Sequence, residues 1–143
     1  MNATGFSTWK GTWKEGDGTI STETDTLKNA FYSYASRFEG AKGASPEELL
    51  AAAHAGCFNQ AIVNNFGMMG LKADMVNTSV SVEMGLDEEN TPAITKLFVT
   101  VAARVPGISQ KQFSYCADRA RLRCSIAKAL KCEIGMSATL VEA

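Results

Sequence analysis

The sequence predicts an α+β fold: antiparallel sheets set against two helical regions, in one domain spanning residues 1–143. Three observations carry this reading. The N-terminal third is aromatic and threonine-rich, with glycines at its turns. Residues 76–105 hold two runs in which apolar and polar side chains alternate. Between them lies a long stretch, Ser45 to Gly70, with almost no charge after Glu48. Alternation at period two marks half-buried strands, and a long run between helix start and stop residues marks a helix. Strands grouped before and after the helices, rather than alternating with them, favour α+β. A chain of 143 residues suffices for one domain and is too short for two large, separately packed cores.

Each element follows in order. Phe6 to Trp13 reads as a strand, Gly16, Asp17 and Gly18 as a turn, and Thr19 to Thr24 as the returning strand. Phe31 to Phe38 reads as a third extended stretch, with Tyr32, Tyr34 and Phe38 on one face, ended by Gly40 and Gly43. Ser45, Pro46, Glu47 and Glu48 then fit an N-cap, a proline at the first helical position and a capping-box glutamate. The helix they open runs to about Met69, with Gly70 as its C-cap. At roughly 24 residues it spans about 36 Å. A helix apolar or small on most faces is a buried helix. One copy of this chain has too little material to surround it, and two such helices packed in a symmetric dimer solve the problem. Val76 to Leu86 and Ala93 to Val105 read as paired strands joined by the turn at Asp87 to Thr91. Ser109 to about Lys131 reads as the second helical region, and Ile134 to Val141 as the last strand.

Composition excludes several function classes. Fourteen basic against 15 acidic residues give a net charge of −1, so there is no basic stripe for nucleic acid and no electrostatic membrane anchor. No apolar run approaches the roughly 18–20 residues of a membrane-spanning helix. Met1 to Lys14 lacks the apolar core of a secretory signal, so a cytoplasmic protein is expected, with its four cysteines as thiols. A single histidine, His54, and no C-x-x-C spacing give no metal site, and no cofactor motif is present.

Cysteine chemistry remains. A buried cysteine commonly acts as a small hydrophobe, and Cys116 and Cys132 are read that way. Cys57 stands apart, on the helix that opens with paired carboxylates and one turn after His54. A reactive cysteine is a thiolate, which calls for a positive neighbour. His54 at i−3 is one candidate, and Arg37, always charged, is a better one. Glu47 either serves the helix dipole alone or, with Glu48 already at the capping-box position, is free for another task.

The stretch from Ser45 to Phe58, SPEELLAAAHAGCF, resembles the first-cysteine helix of the OsmC/Ohr family, the osmotically inducible protein C and organic hydroperoxide resistance proteins. Arg37-Phe38-Glu39-Gly40, Ala93-Ile94-Thr95-Lys96, Val105-Pro106-Gly107-Ile108, Cys124 with Ala129-Leu130-Lys131, and the N-terminal Trp9, Gly11 and Gly18 are similar to further family landmarks, and the resemblance covers nearly the whole chain. The RFEG and AAAHAGC runs favour the OsmC branch. The resemblance implies an intertwined α+β homodimer with antiparallel sheets around two long central helices. It implies a thiol peroxidase that reduces organic hydroperoxides to alcohols, with Cys57 peroxidatic and Cys124 resolving. Arg37 and Glu47 match the family's arginine and helix-start glutamate. The implied reductant is a dithiol, a dihydrolipoyl protein being the Ohr-branch expectation. The other reading on the same fold is a non-catalytic redox sensor or apolar-ligand-binding stress protein.

Two expectations are specific to this sequence. Glu47 and Cys57 lie ten positions apart on one helix, about 15 Å along its axis, so a site using both is expected at the dimer interface. The family usually has proline after the second cysteine. Here it is Ser125, which permits a continuous helix through Cys124 and can also cap.

Overall fold

The computed structural model describes residues 1–142 and divides the chain into two compact units, Met1–Leu49 and Leu50 onward. In the first unit, strands β1 (Gly5–Lys10), β2 (Asp17–Thr22) and β3 (Ala30–Ser33) form an antiparallel meander in that order. Its register places Gly18 opposite both Trp9 and Tyr32, whose rings meet with centroids 5.2 Å apart. A Cβ at Gly18 would stand 2.8 Å from each ring, so the aromatic pair requires glycine beneath it.

The extended reading of Phe31 to Phe38 is corrected here. The strand stops at Ser33, and helix α1 (Tyr34–Phe38) follows. Ser33 and Ser36 form a complete capping box: the Ser36 N–H donates to the Ser33 hydroxyl (3.0 Å) and the Ser33 N–H to the Ser36 hydroxyl (2.8 Å). Tyr34 and Phe38, four residues apart, pack ring to ring at 5.0 Å on one helix face. The Ser36 hydroxyl also donates to the Ala44 carbonyl at 2.8 Å, fixing the loop that leads into the next helix. None of this unit's apolar side chains is fully buried within one chain; Phe6, Trp13 and Phe31 are all about half exposed or more.

Helix α2 (Pro46–Met68) matches the expected bounds closely. The Ser45 hydroxyl accepts from the Glu48 N–H (3.1 Å), and Gly70, at φ +73°, closes the helix with the Leu71 N–H donating to the Phe66 carbonyl. In the second unit β4 (Met75–Leu86) pairs antiparallel with β5 (Pro92–Arg104). The chain then crosses through α3 (Gln110–Arg123) and α4 (Ser125–Ala129) to β6 (Glu133–Leu140), which lies beside β5. That last pair is parallel, against the expectation of wholly antiparallel sheets. A helical crossover delivers the chain back to the same end of the sheet, which a hairpin cannot do.

The core of this unit is built from three periodicities. Phe58, Ile62 and Phe66 line one face of α2; Val99, Val101 and Ala103 alternate along β5; Phe113, Cys116, Ala117 and Ala120 come from α3. The opposite face of α2, with Ala52, Ala53, Gly56, Val63 and Gly67, is exposed in the single chain. Phe113 has no exposure and stacks on Phe66 at 6.3 Å. Phe113→Ala is therefore expected to destabilise the protein by about 3–5 kcal/mol in urea unfolding. A loss below about 1 kcal/mol would contradict this packing.

Candidate functional site

The predicted site residues fall as two pairs, one in each unit. In the first, Arg37 closes α1 and Glu47 opens α2. The Arg37 guanidinium grips the carboxylate through Nε (2.9 Å to Oε1, 3.2 Å to Oε2) and Nη2 (2.6 Å to Oε1). Glu47 is buried, and Arg37 is a third exposed, with its guanidinium carbon 4.8 Å from the centre of the Phe38 ring. A forked, charge-assisted contact fixes the direction of the guanidinium as well as its position. The α1 turn, missed in the sequence, is what brings Arg37 to Glu47. Trp9, Trp13, Tyr32, Tyr34, Arg37 and Phe38 line an aromatic cavity of about 410 Å³ in the same unit.

In the second unit Cys57 sits midway along α2, partly buried, its Sγ 3.2 Å from the Ser125 hydroxyl. Burial pushes the Cys57 thiol up. Hydrogen bonds from the Ser125 hydroxyl, the Ile126 N–H, the Cys124 thiol and the Ser125 N–H outweigh it, and the net shift is downward. Cys124 is buried and moves the other way. Burial raises it most, the Ala127 N–H lowers it, and the neighbouring Cys57 raises it again. The two sulfurs are thus poised differently, Cys57 toward thiolate and Cys124 toward thiol, and all four cysteines are free.

The local backbone explains this placement. The second helical region is not continuous: at Cys124 the chain is extended (φ −63°, ψ 150°), ending α3 and capping α4. The Cys124 sulfur accepts from the Ala127 N–H at 3.4 Å. A break expected of proline therefore occurs with serine in its place, because the cysteine supplies the cap.

His54 does not act as the cation for Cys57. It is fully buried, neither ring nitrogen has a partner among the described residues, and burial holds it below its ordinary value and hence neutral. Cys116 is a core thiol, packed in the cluster on α3 and raised by burial. Ser125 is the neighbour of Cys57 that sequence reasoning missed. It entered only as a question of helix continuity, and its partner lies 68 positions away.

No helix among the described residues is long and apolar enough to cross a membrane. The family model described as OsmC-like protein matches residues 39–138, a span that includes Glu47, Cys57 and Cys124. The chain is 37% identical over 130 residues to a protein named Peroxiredoxin OsmC from Escherichia coli (strain K12), covering 91% of this chain and 90% of that one. An equally similar Peroxiredoxin OsmC occurs in Shigella flexneri. Among solved structures, an OsmC-like protein from Mycoplasma pneumoniae superposes with a TM-score of 0.75 at 14% identity, covering 99% of this chain and 98% of that one. The organic hydroperoxide resistance protein OhrB of Bacillus subtilis gives 0.68 at 20% identity, covering 96% and 98%. These distant likenesses speak for the α+β fold.

Proposed function

The chain belongs to the OsmC-like protein family and is a peroxidase; from that premise we propose that it reduces organic hydroperoxides to alcohols through Cys57, with Cys124 resolving and a dithiol as final reductant. The observation that carries this reading is the placement of Cys57: its sulfur lies 3.2 Å from the Ser125 hydroxyl, next in sequence to Cys124, and its thiol is shifted downward while that of Cys124 is shifted upward.

In this mechanism the Cys57 thiolate attacks the distal oxygen of the hydroperoxide. The O–O bond breaks, an S–O bond forms, and the alkoxide leaves and takes a proton to become the alcohol. Cys57 is left as a sulfenic acid. Cys124 then attacks that sulfur, a disulfide forms, and water leaves. Two electrons and two protons from a dithiol, such as a dihydrolipoyl protein, restore both thiols. The opposed shifts support this order of events. Burial raises the Cys124 thiol most and the Cys57 thiolate adds to it; once Cys57 is an uncharged sulfenic acid the second contribution ends, and Cys124 is freer to become the second nucleophile.

The working unit is a homodimer. Two surfaces support this: the exposed face of α2, whose alanines and glycines allow close helix approach, and the uncovered aromatics of the N-terminal sheet. Arg37, steered by Glu47, supplies the charge that complements the Cys57 thiolate. The four free thiols suit a reducing, cytoplasmic setting.

Steady-state turnover tests the reading. With excess dithiol, many equivalents of cumene hydroperoxide are consumed per protein, and hydrogen peroxide is used less well, because the α2 positions flanking Cys57, among them Ala53, Ala55, Phe58 and Ala61, are apolar. The rate rises with pH as Cys57 ionises, and levels off at a lower pH than an ordinary thiol would give. A single equivalent consumed, with no turnover, would make the protein a sensor rather than a peroxidase.

A further inference from the structure

We propose that Ser125 is a thiolate-holding residue of the site, its hydroxyl donating to the Cys57 sulfur across the 3.2 Å contact. The proposal rests on Cys57 being the reactive cysteine. It concerns the position where the family resemblance leads one to expect proline and this chain has serine.

The chemistry of the two residue types decides the matter. Proline has neither a hydroxyl nor an N–H. Serine here brings both to bear on Cys57, the hydroxyl by direct contact and the backbone N–H as a further donor, with the Ile126 N–H next to it. In the neutral state either Sγ or Oγ can be the donor. In the thiolate state sulfur has no proton, so only the hydroxyl can donate. The contact is therefore stronger with the charged form and favours it. The extended backbone at Cys124 turns residue 125 toward α2, so the helix break and the hydrogen bond arise from one local feature. Within its own unit, the groups that act on Cys57 are Ser125, Ile126 and Cys124, and no charged side chain of the described residues is among them. His54, one turn earlier on α2, is neutral.

The test is the pH dependence of iodoacetamide alkylation at Cys57 in the reduced, full-length protein, read by peptide mass spectrometry, with Cys132 in the same samples as internal reference. Ser125→Ala is expected to raise the Cys57 midpoint by about one pH unit, the size of one hydrogen bond to a charged group. Ser125→Thr, which keeps the hydroxyl, restores it, and Ser125→Pro shifts it at least as far as alanine. Thermal melts of each variant establish that it is folded. A Ser125→Ala midpoint equal to wild type, or a threonine variant that fails to restore it, overturns the proposal. Alkylation needs no peroxide, so the outcomes separate. A shifted midpoint in a protein that turns over no hydroperoxide sinks the peroxidase reading alone. An unshifted one in an active enzyme sinks this proposal alone.

Discussion

Cys57→Ser is expected to lower kcat/KM for organic hydroperoxides by about three orders of magnitude or more, the scale on which a covalent nucleophile is lost. The hydroxyl of serine is not ionised near neutral pH and is a far poorer nucleophile toward peroxide oxygen. The donors now gathered on sulfur, the Ser125 hydroxyl and the neighbouring N–H groups, would have no anion to hold. Cys57 is only partly buried at the margin of the core, so unfolding by urea changes by less than about 1 kcal/mol. A single-turnover assay with cumene hydroperoxide separates the two effects. Peroxide consumption that survives the substitution would move the reactive sulfur elsewhere, and Cys132, the other partly accessible cysteine, would be examined next.

Arg37→Ala carries the second largest effect, a fall of about a hundredfold in kcat/KM. The expectation comes from how Arg37 is held. Three short contacts to a buried carboxylate and a ring face fix the guanidinium in one orientation, which a flexible surface arginine does not have. Such fixing matters where a charge must meet a thiolate and a leaving alkoxide in a defined place. Loss of the cation also moves the acid limb of the pH–rate profile upward, since an opposite charge favours the thiolate. Arg37→Lys recovers only part of the rate, because an ammonium cannot make the fork. The stability loss is smaller, about 1–2 kcal/mol after allowing for the exposure of Arg37, and it reflects a buried Glu47 left without its partner. A kcat/KM unchanged in Arg37→Ala would remove the arginine from the site.

Much of the fold was legible because its signals are local. Ser45, Pro46 and Gly70 bracket α2, and the alternation of Val80 and Val82 on one strand and of Val99 and Val101 on its partner marks the β4–β5 hairpin. The errors have equally local causes. Tyr32, Tyr34 and Phe38 fit a two-residue period, but the 34–38 spacing fits a helix as well, and Ser33 with Ser36 was the cap that decides between them. The break at Cys124 was obscured because a cysteine is seldom read as a helix cap. The parallel direction of β6 depends on where the crossover returns, which no residue encodes by itself.

The candidate site was legible in part. Cys57, Arg37 and Glu47 stood out as residues, the family resemblance gave them roles and added Cys124 as their partner, and the ion pair between two of them follows from the helical turn that places Arg37 beside the start of α2. The Ser125 contact was out of reach. It joins positions 68 apart, and hydroxyl-to-sulfur proximity leaves no trace in periodicity or spacing.

The most direct measurement of the central claim is peptide mass spectrometry of the reduced protein after a substoichiometric dose of cumene hydroperoxide, with hydrogen peroxide run beside it. The account predicts a Cys57–Cys124 disulfide, formed preferentially with the organic peroxide, and in Cys124→Ser a protein arrested with Cys57 as sulfenic acid. Cys57 recovered as a free thiol, while peroxide is consumed or another cysteine is oxidised, would contradict it.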